Sequence, residues 1–132
     1  MNKTEEARSL LRDLNVPDKL QTDVCCHVLL AMADISEGDA WSKATNQWLS
    51  IHEIMASANN KFAAEYKDSS REIFRKFAVY NFRQEAFVED TREANGPNYR
   101  FRLTEETLDL VRSYGKVDWV DKKAKFIAAH KD

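Results

Sequence analysis

Two arginines four residues apart, Arg71 and Arg75, begin the stretch of this 132-residue chain that is richest in usable chemistry. On a helix they share one side, with Lys76 and Arg83 on the other flank and Glu72 between. Over 69–84 four bases stand against one acid; Gln84 adds no charge and Glu85 follows directly. Farther on, Arg100 and Arg102 alternate with Phe101 and Leu103, and strand geometry turns both toward one exposed face. No acid falls within 97–103. The whole chain nevertheless holds 20 Lys and Arg against 22 Asp and Glu, a formal net charge of −2 with a pI near 5.9. A uniformly basic polyanion coat is therefore excluded, whereas a local basic face is not. Such a face suits duplex DNA. A guanidinium can donate twice to guanine O6 and N7 in the major groove, and Ser69 and Ser70 at a helix start can offer hydroxyl and N–H groups to a phosphate. The competing reading is a solvated helix face beside an ordinary hairpin, which uses the same residue types.

Other reactive residues carry weaker patterns. His27 falls on the apolar stripe of a helix and reads as a hydrogen-bonded interior residue. His52 reads as helix packing or capping, and His130 lies near the end of the chain. Cys25 and Cys26 are adjacent, a spacing that rarely closes a disulfide and lacks the spacer of a zinc site. They read as small apolar residues in a reducing cytoplasm. No Ser-His-Asp order and no Gly-rich phosphate loop is present.

The elements that must position the bases follow from periodicity and caps. Hydrophobic residues make up 43% and charged residues 32%, which fits a folded chain, and three Gly with two Pro are too few for a turn-rich β-sandwich or barrel. One domain over 1–132 is expected, with N-terminal helices over 1–35, a helix-turn-helix and wing over 50–103, and C-terminal helices over 104–132. Thr4 caps a first helix carrying Leu10, Leu11 and Leu14, which Asn15-Val16-Pro17 stops. Asp18 caps a second running to about Ala33, apolar on most sides and so central. Trp41 to Leu49 lacks clean periodicity and reads as a packed loop. Ser50 caps a helix ending near Tyr66, and Asp68-Ser69-Ser70 signals the start of the next, about Arg71 to Gln84. On a 100° wheel Ile73, Phe77 and Tyr80 share a face, with Phe74 alongside, and this stripe is expected to meet the core. Residues 86–90 and 99–103 read as strands joined through the Asn95-Gly96-Pro97 turn. Thr104 caps a helix that Gly115 ends, and Asp118 begins a last one. The order predicts a mainly α fold with a small β-hairpin, a winged helix-turn-helix.

Several segments in order resemble the N-terminal domain of BsuBI/PstI-type restriction endonucleases. These are Trp41-Ser42-Lys43-Ala44, Ile51-His52-Glu53-Ile54-Met55, Ser70-Arg71-Glu72-Ile73-Phe74-Arg75-Lys76, Asn95-Gly96-Pro97, Phe101-Arg102-Leu103-Thr104 and Val111-Arg112-Ser113-Tyr114-Gly115. The resemblance covers roughly residues 20 to 120 and implies a winged-helix DNA-binding module. In the family this module precedes a Mg²⁺-dependent nuclease domain, so this chain is read either as part of a longer nuclease or as a module encoded alone, with a covalently linked or docked nuclease domain among its candidate partners. The family's helix start falls on Ser70, Arg71 and Glu72, and its paired bases on Arg75 and Lys76. Where the family tends to place Gln and His, this chain has Phe77 and Tyr80, and Gly96 stands where Ser is usual.

A nuclease of that kind holds Mg²⁺ with an acid and an acid-x-Lys on adjacent strands. Pro17-Asp18 with Glu65-Tyr66-Lys67, and Asp121-Lys122-Lys123, spell parts of the pattern, but all fall on helices or caps. The chain alone is therefore expected to be non-catalytic, with no metal or cofactor of its own. Arg71 and Arg75 are the expected base readers, Lys76, Arg83, Arg100 and Arg102 the phosphate partners, and Ser69 and Ser70 the anchors of the helix end. Two alternatives remain open: a dimerisation or docking module of a restriction-modification system, with Trp41, Trp48, Trp119 and Phe126 as anchors, or a small dimeric transcriptional regulator. A homodimer is accordingly among the expected partners. No apolar run reaches the length of a membrane span, and a cytoplasmic location is expected.

Overall fold

A computed structural model describes residues 2–91 and 99–130, with Phe77 described by its backbone alone. The expected Asn95-Gly96-Pro97 turn and the core role of the Phe77 side chain lie outside what is described.

Local capping chemistry starts most of the helices. Helix α1 (Lys3–Asp13) is capped by Asn2, whose side chain accepts from the Glu5 N–H at 2.8 Å, so Thr4 lies inside the helix rather than at its cap. The segment expected to start helix two at Asp18 is instead a short 3₁₀ turn, Asp18–Leu20, and α2 (Asp23–Ala33) starts at its Thr22 cap. Helix α2 buries eight of its residues, from Cys25 to Ala33, and packs against α1 and the following helix. Trp41–Lys43 forms another 3₁₀ turn rather than loop throughout.

Ser50 begins α3 (Ile51–Phe62) with a complete capping box. Its hydroxyl accepts from the Glu53 N–H at 3.1 Å, while the Glu53 carboxylate accepts from the Ser50 N–H at 2.9 Å. Removing that hydroxyl by Ser50→Ala should cost about 0.5–2 kcal/mol, read as a lower urea midpoint at unchanged slope. Helix α3 ends at Phe62, four residues before the expected end, because Ala63 takes a left-handed conformation with φ 52°.

The turn after α3 is tied at both ends. The Asn59 side chain donates to the Tyr66 carbonyl and accepts from the Tyr66 N–H, each at 2.9 Å. The Tyr66 hydroxyl lies 2.7 Å from His27 Nδ1 of α2, and its ring meets Phe74 edge-on at 4.7 Å. Phe62 stacks on His27 at 5.4 Å. His27 is thus a half-buried, hydrogen-bonded residue that fixes the turn, and burial holds its pKa below the usual histidine value.

The following helix, α4, spans 71–84 in three continuous pieces, with a π-helical middle Phe74–Val79 between α-helical Arg71–Ile73 and Tyr80–Gln84. Asp68–Ser70 leads into it as a 3₁₀ turn without any side-chain cap bond, contrary to the expected Asp-Ser-Ser cap. Phe74, Ala78, Val79 and Phe82 are buried, whereas Ile73 and Tyr80 are 44% and 48% exposed. Ile73 and Tyr80, expected in the core, therefore lie on the outside, while Phe74, expected alongside them, is in the core. Both faces of the helix carry apolar residues, so a wheel cannot choose between them. The four-residue spacing of buried Phe74, Ala78 and Phe82 gives the inward surface, and the π-helical middle packs against α2.

Strands β1 (Val88–Asp90) and β2 (Phe101–Leu103) pair antiparallel, with Glu89 opposite Arg102. Phe101 also exchanges both backbone hydrogen bonds with Leu49, at 2.8 and 2.9 Å, so the end of the segment expected to be loop adds a bridge to the hairpin. Thr104 caps α5 (Glu105–Arg112) and Gly115 (φ 85°) turns the chain toward α6 (Trp119–Ala129). Trp41, Trp119 and Phe126 belong to the core, while Trp48 is 40% exposed. The sequence α2, Leu49 bridge, α3, α4, β1, β2 is a winged helix-turn-helix.

Candidate nucleic-acid interface

Burial of Phe74, Ala78, Val79 and Phe82 decides what α4 shows to solvent. Arg71, Glu72, Ile73, Arg75, Lys76, Tyr80 and Arg83 are all exposed, as is Ser69, while Ser70 is half-buried. An outward side that mixes bases with an isoleucine and a tyrosine differs from a simply solvated helix, which would not need the last two.

The cations are less free than a charge count implies. Glu72 receives Arg75 in a two-point pair, Nη2 to Oε2 at 2.7 Å and Nε to Oε1 at 3.2 Å. That bond holds the Glu72 carboxyl below its usual range and raises Arg75 further. Arg83 reaches Asp90 at 2.5 Å, and that carboxylate, 3% exposed, also accepts from the Tyr99 hydroxyl at 3.1 Å. Arg102 pairs with Glu89 at 2.9 Å and lies 4.5 Å above the Trp48 ring. Arg100 stands 3.6 Å from Glu53 of the α3 capping box.

The expected acid-free basic strand is thus corrected. Its acids come from the facing strand and from α3, which are remote in sequence. Exposed pairs such as Arg100–Glu53 and Arg102–Glu89 contribute on the order of 0–1 kcal/mol, enough to orient a side chain and too little to hold it against a phosphate. Among the described residues, Arg71 and Lys76 have no carboxylate within 4.0 Å. Arg71 instead shares a cleft of about 340 Å³ with Arg100 and His52. Arg83 lines a separate cleft beside Glu89 and Asp90.

Sequence reading missed Trp48, His52 and Tyr99 as neighbours of the basic set. Alternation of buried Phe101 and Leu103 with half-buried Arg100 and Arg102 was legible, but nothing local linked 48–53 to the hairpin. The acid-x-Lys candidates are scattered. Asp18 is on a 3₁₀ turn, Glu65 and Lys67 are on the connector before α4, and Asp121 is exposed on α6. None lies on paired strands, so these residues do not fit a Mg²⁺ site. Among the described residues no three metal-ligating side chains come together. His130 stacks on Phe126 at 3.9 Å and its Nδ1 lies 2.8 Å from the Phe126 carbonyl. Cys25 and Cys26 are buried thiols, and burial pushes Cys26 up to about 11.

The family model of the BsuBI/PstI restriction endonuclease HTH domain matches residues 1–132. The chain belongs to this family. As an HTH domain of the BsuBI/PstI type, it is similar to the type II restriction enzyme BsuBI of Bacillus subtilis, with 26% identity over 129 residues covering 94% of this chain and 41% of that protein. The type II restriction enzyme AplI of Arthrospira platensis is 31% identical over 118 residues, covering 86% of this chain and 36% of AplI. The structure of the SdaI restriction endonuclease superposes with a TM-score of 0.86 at 25% identity, over 92% of this chain and 40% of that one. The HTH domain thus spans about two-fifths of the length of these relatives. Among the described residues no helix is long and apolar enough to cross a membrane.

Proposed function

We propose that this HTH domain binds double-stranded DNA, with α4 in the major groove and the β1–β2 hairpin along the backbone. The observation that carries the reading is the outward side of α4. Ile73 and Tyr80 lie exposed on the same helix as exposed Arg71, Arg75 and Lys76, the second of the pair, and Phe74, Ala78, Val79 and Phe82 anchor that helix in the core. A groove-facing helix uses both chemistries: bases for guanine and phosphate, apolar surface for the thymine methyl. Arg75, oriented by Glu72, is the base reader; Lys76 is a phosphate partner, with Arg83 and Arg102 near the backbone and Ser69 and Ser70 at the helix end. The relatives are restriction enzymes more than twice as long, which supports a module that delivers DNA to a nuclease domain, linked or docked. Any Mg²⁺ chemistry belongs to that domain.

Fluorescence anisotropy with short duplexes over a salt series tests the reading. Binding should weaken steeply as salt rises, and Lys76→Ala should weaken all sequences alike while lowering the slope of log K against log salt by about one. A wild-type chain that ignores duplex even at low salt overturns the reading and favours a protein-docking role.

A further inference from the structure

The cleft of about 340 Å³ between the start of α3 and the hairpin is lined by Ser50, Ile51, His52, Arg71, Tyr99, Arg100 and Phe101. Three elements meet there, and each brings a group able to bind an anion: α3 brings His52, α4 brings Arg71, and the approach to β2 brings Arg100. We infer that Arg71, Arg100 and His52 form one seat for a single backbone phosphate of the duplex, so that Arg71 clamps the DNA backbone rather than reading a base. The inference rests on the DNA-binding reading and deepens it.

Arrangement and chemistry agree. Arg71 has no carboxylate partner among the described residues, and it lines the cleft together with a second arginine, Arg100. The acid near the cleft, Glu53, is already committed: it accepts the Ser50 N–H at 2.9 Å and reaches Arg100 only at 3.6 Å. Arg100 also donates from Nη1 to the Tyr99 carbonyl at 3.2 Å, and the five donors of a guanidinium let a phosphate add to these contacts. The Tyr99 hydroxyl is taken by Asp90, leaving its ring as a wall. An anion between the two arginines would relieve their repulsion and tie the hairpin to the helix pair.

The salt slope counts phosphates, which makes sharing measurable. Each neutralised phosphate contributes about 0.9 to the slope. Arg71→Gln and Arg100→Gln together should therefore lower it by about one, the value for one shared phosphate, whereas Arg71→Gln with Lys76→Gln should lower it by about two. A loss of about two for the Arg71 and Arg100 pair overturns the shared seat while leaving DNA binding intact. Inorganic phosphate titrated into the ¹⁵N-labelled chain supplies a second reading. Saturable amide shifts at 50–52, 71 and 99–101 are expected, absent in His52→Gln/Arg100→Gln and reproduced by duplex. Shifts spread over every basic residue, or a phosphate response that duplex fails to reproduce, overturn it. If duplex does not bind at all, the functional reading itself falls, a distinct outcome. Amide dispersion in the same spectra shows that the variants fold.

Discussion

Replacing Phe74 with alanine is expected to lower the unfolding free energy by about 3–5 kcal/mol, while Ile73→Ala, one residue earlier, should change it by about 0.5 kcal/mol or less. The difference follows from which side of α4 faces α2. Phe74 is fully buried, meets Tyr66 edge-on at 4.7 Å and joins Ala78, Val79 and Phe82 in the core. Its removal leaves a cavity beneath the turn that Asn59, Tyr66 and His27 hold together, where little can collapse to fill it. Ile73 is 44% exposed, and alanine is the better helix former, so burial lost and propensity gained nearly cancel. Urea denaturation followed by circular dichroism reads both variants, with unchanged slopes as the sign that only stability moved. A large loss from Ile73→Ala beside a small one from Phe74→Ala would turn the helix around. It would also remove the outward surface on which the DNA reading stands.

Glu72→Gln is expected to strengthen binding to duplex of arbitrary sequence, several-fold to about tenfold at low salt, and to steepen its salt dependence. Glu72 is the one acid within 69–84, exposed on the outward side of α4, and it holds Arg75 through two hydrogen bonds. Neutralising it removes an anion from the surface proposed to face phosphates and releases a guanidinium. Arg75→Gln should have the opposite and smaller effect on such DNA, because that charge is already balanced by its neighbour. Specific DNA adds a second arm: a carboxylate at this place can accept from cytosine N4. Affinity that rises on arbitrary duplex and falls on one sequence class would assign that readout to the Glu72–Arg75 unit. Weaker binding of Glu72→Gln to every duplex would refute a groove-facing role for this side of α4.

These two experiments concern the places where one-dimensional reading was least informative. Caps and alternation were legible because they act over a few residues. Ser50 with Glu53, Thr104 before Glu105, and Phe101 and Leu103 flanking Arg102 each reveal their element within a turn or a strand. Even there, neighbours competed. Thr4 and Asp18 had cap chemistry as good as that of Asn2 and Thr22, and packing of Leu20 into the core separated the 3₁₀ turn from α2. The helix 71–84 was legible as a helix, yet its inner face was not, since apolar side chains on two sides give periodicity no preferred direction.

The order of elements, the caps, the pairing of two strands and the gathering of bases over 69–103 were determined by the chain itself, because each depends on hydrogen-bond or charge patterns spanning a few positions. Tertiary structure alone decided which side of α4 faces outward, which acids hold Arg83, Arg100 and Arg102, and that His52 joins Arg71 at the hairpin. Those outcomes depend on contacts between residues distant in sequence, where close packing against α2 and the hairpin selects one arrangement from several of equal local merit.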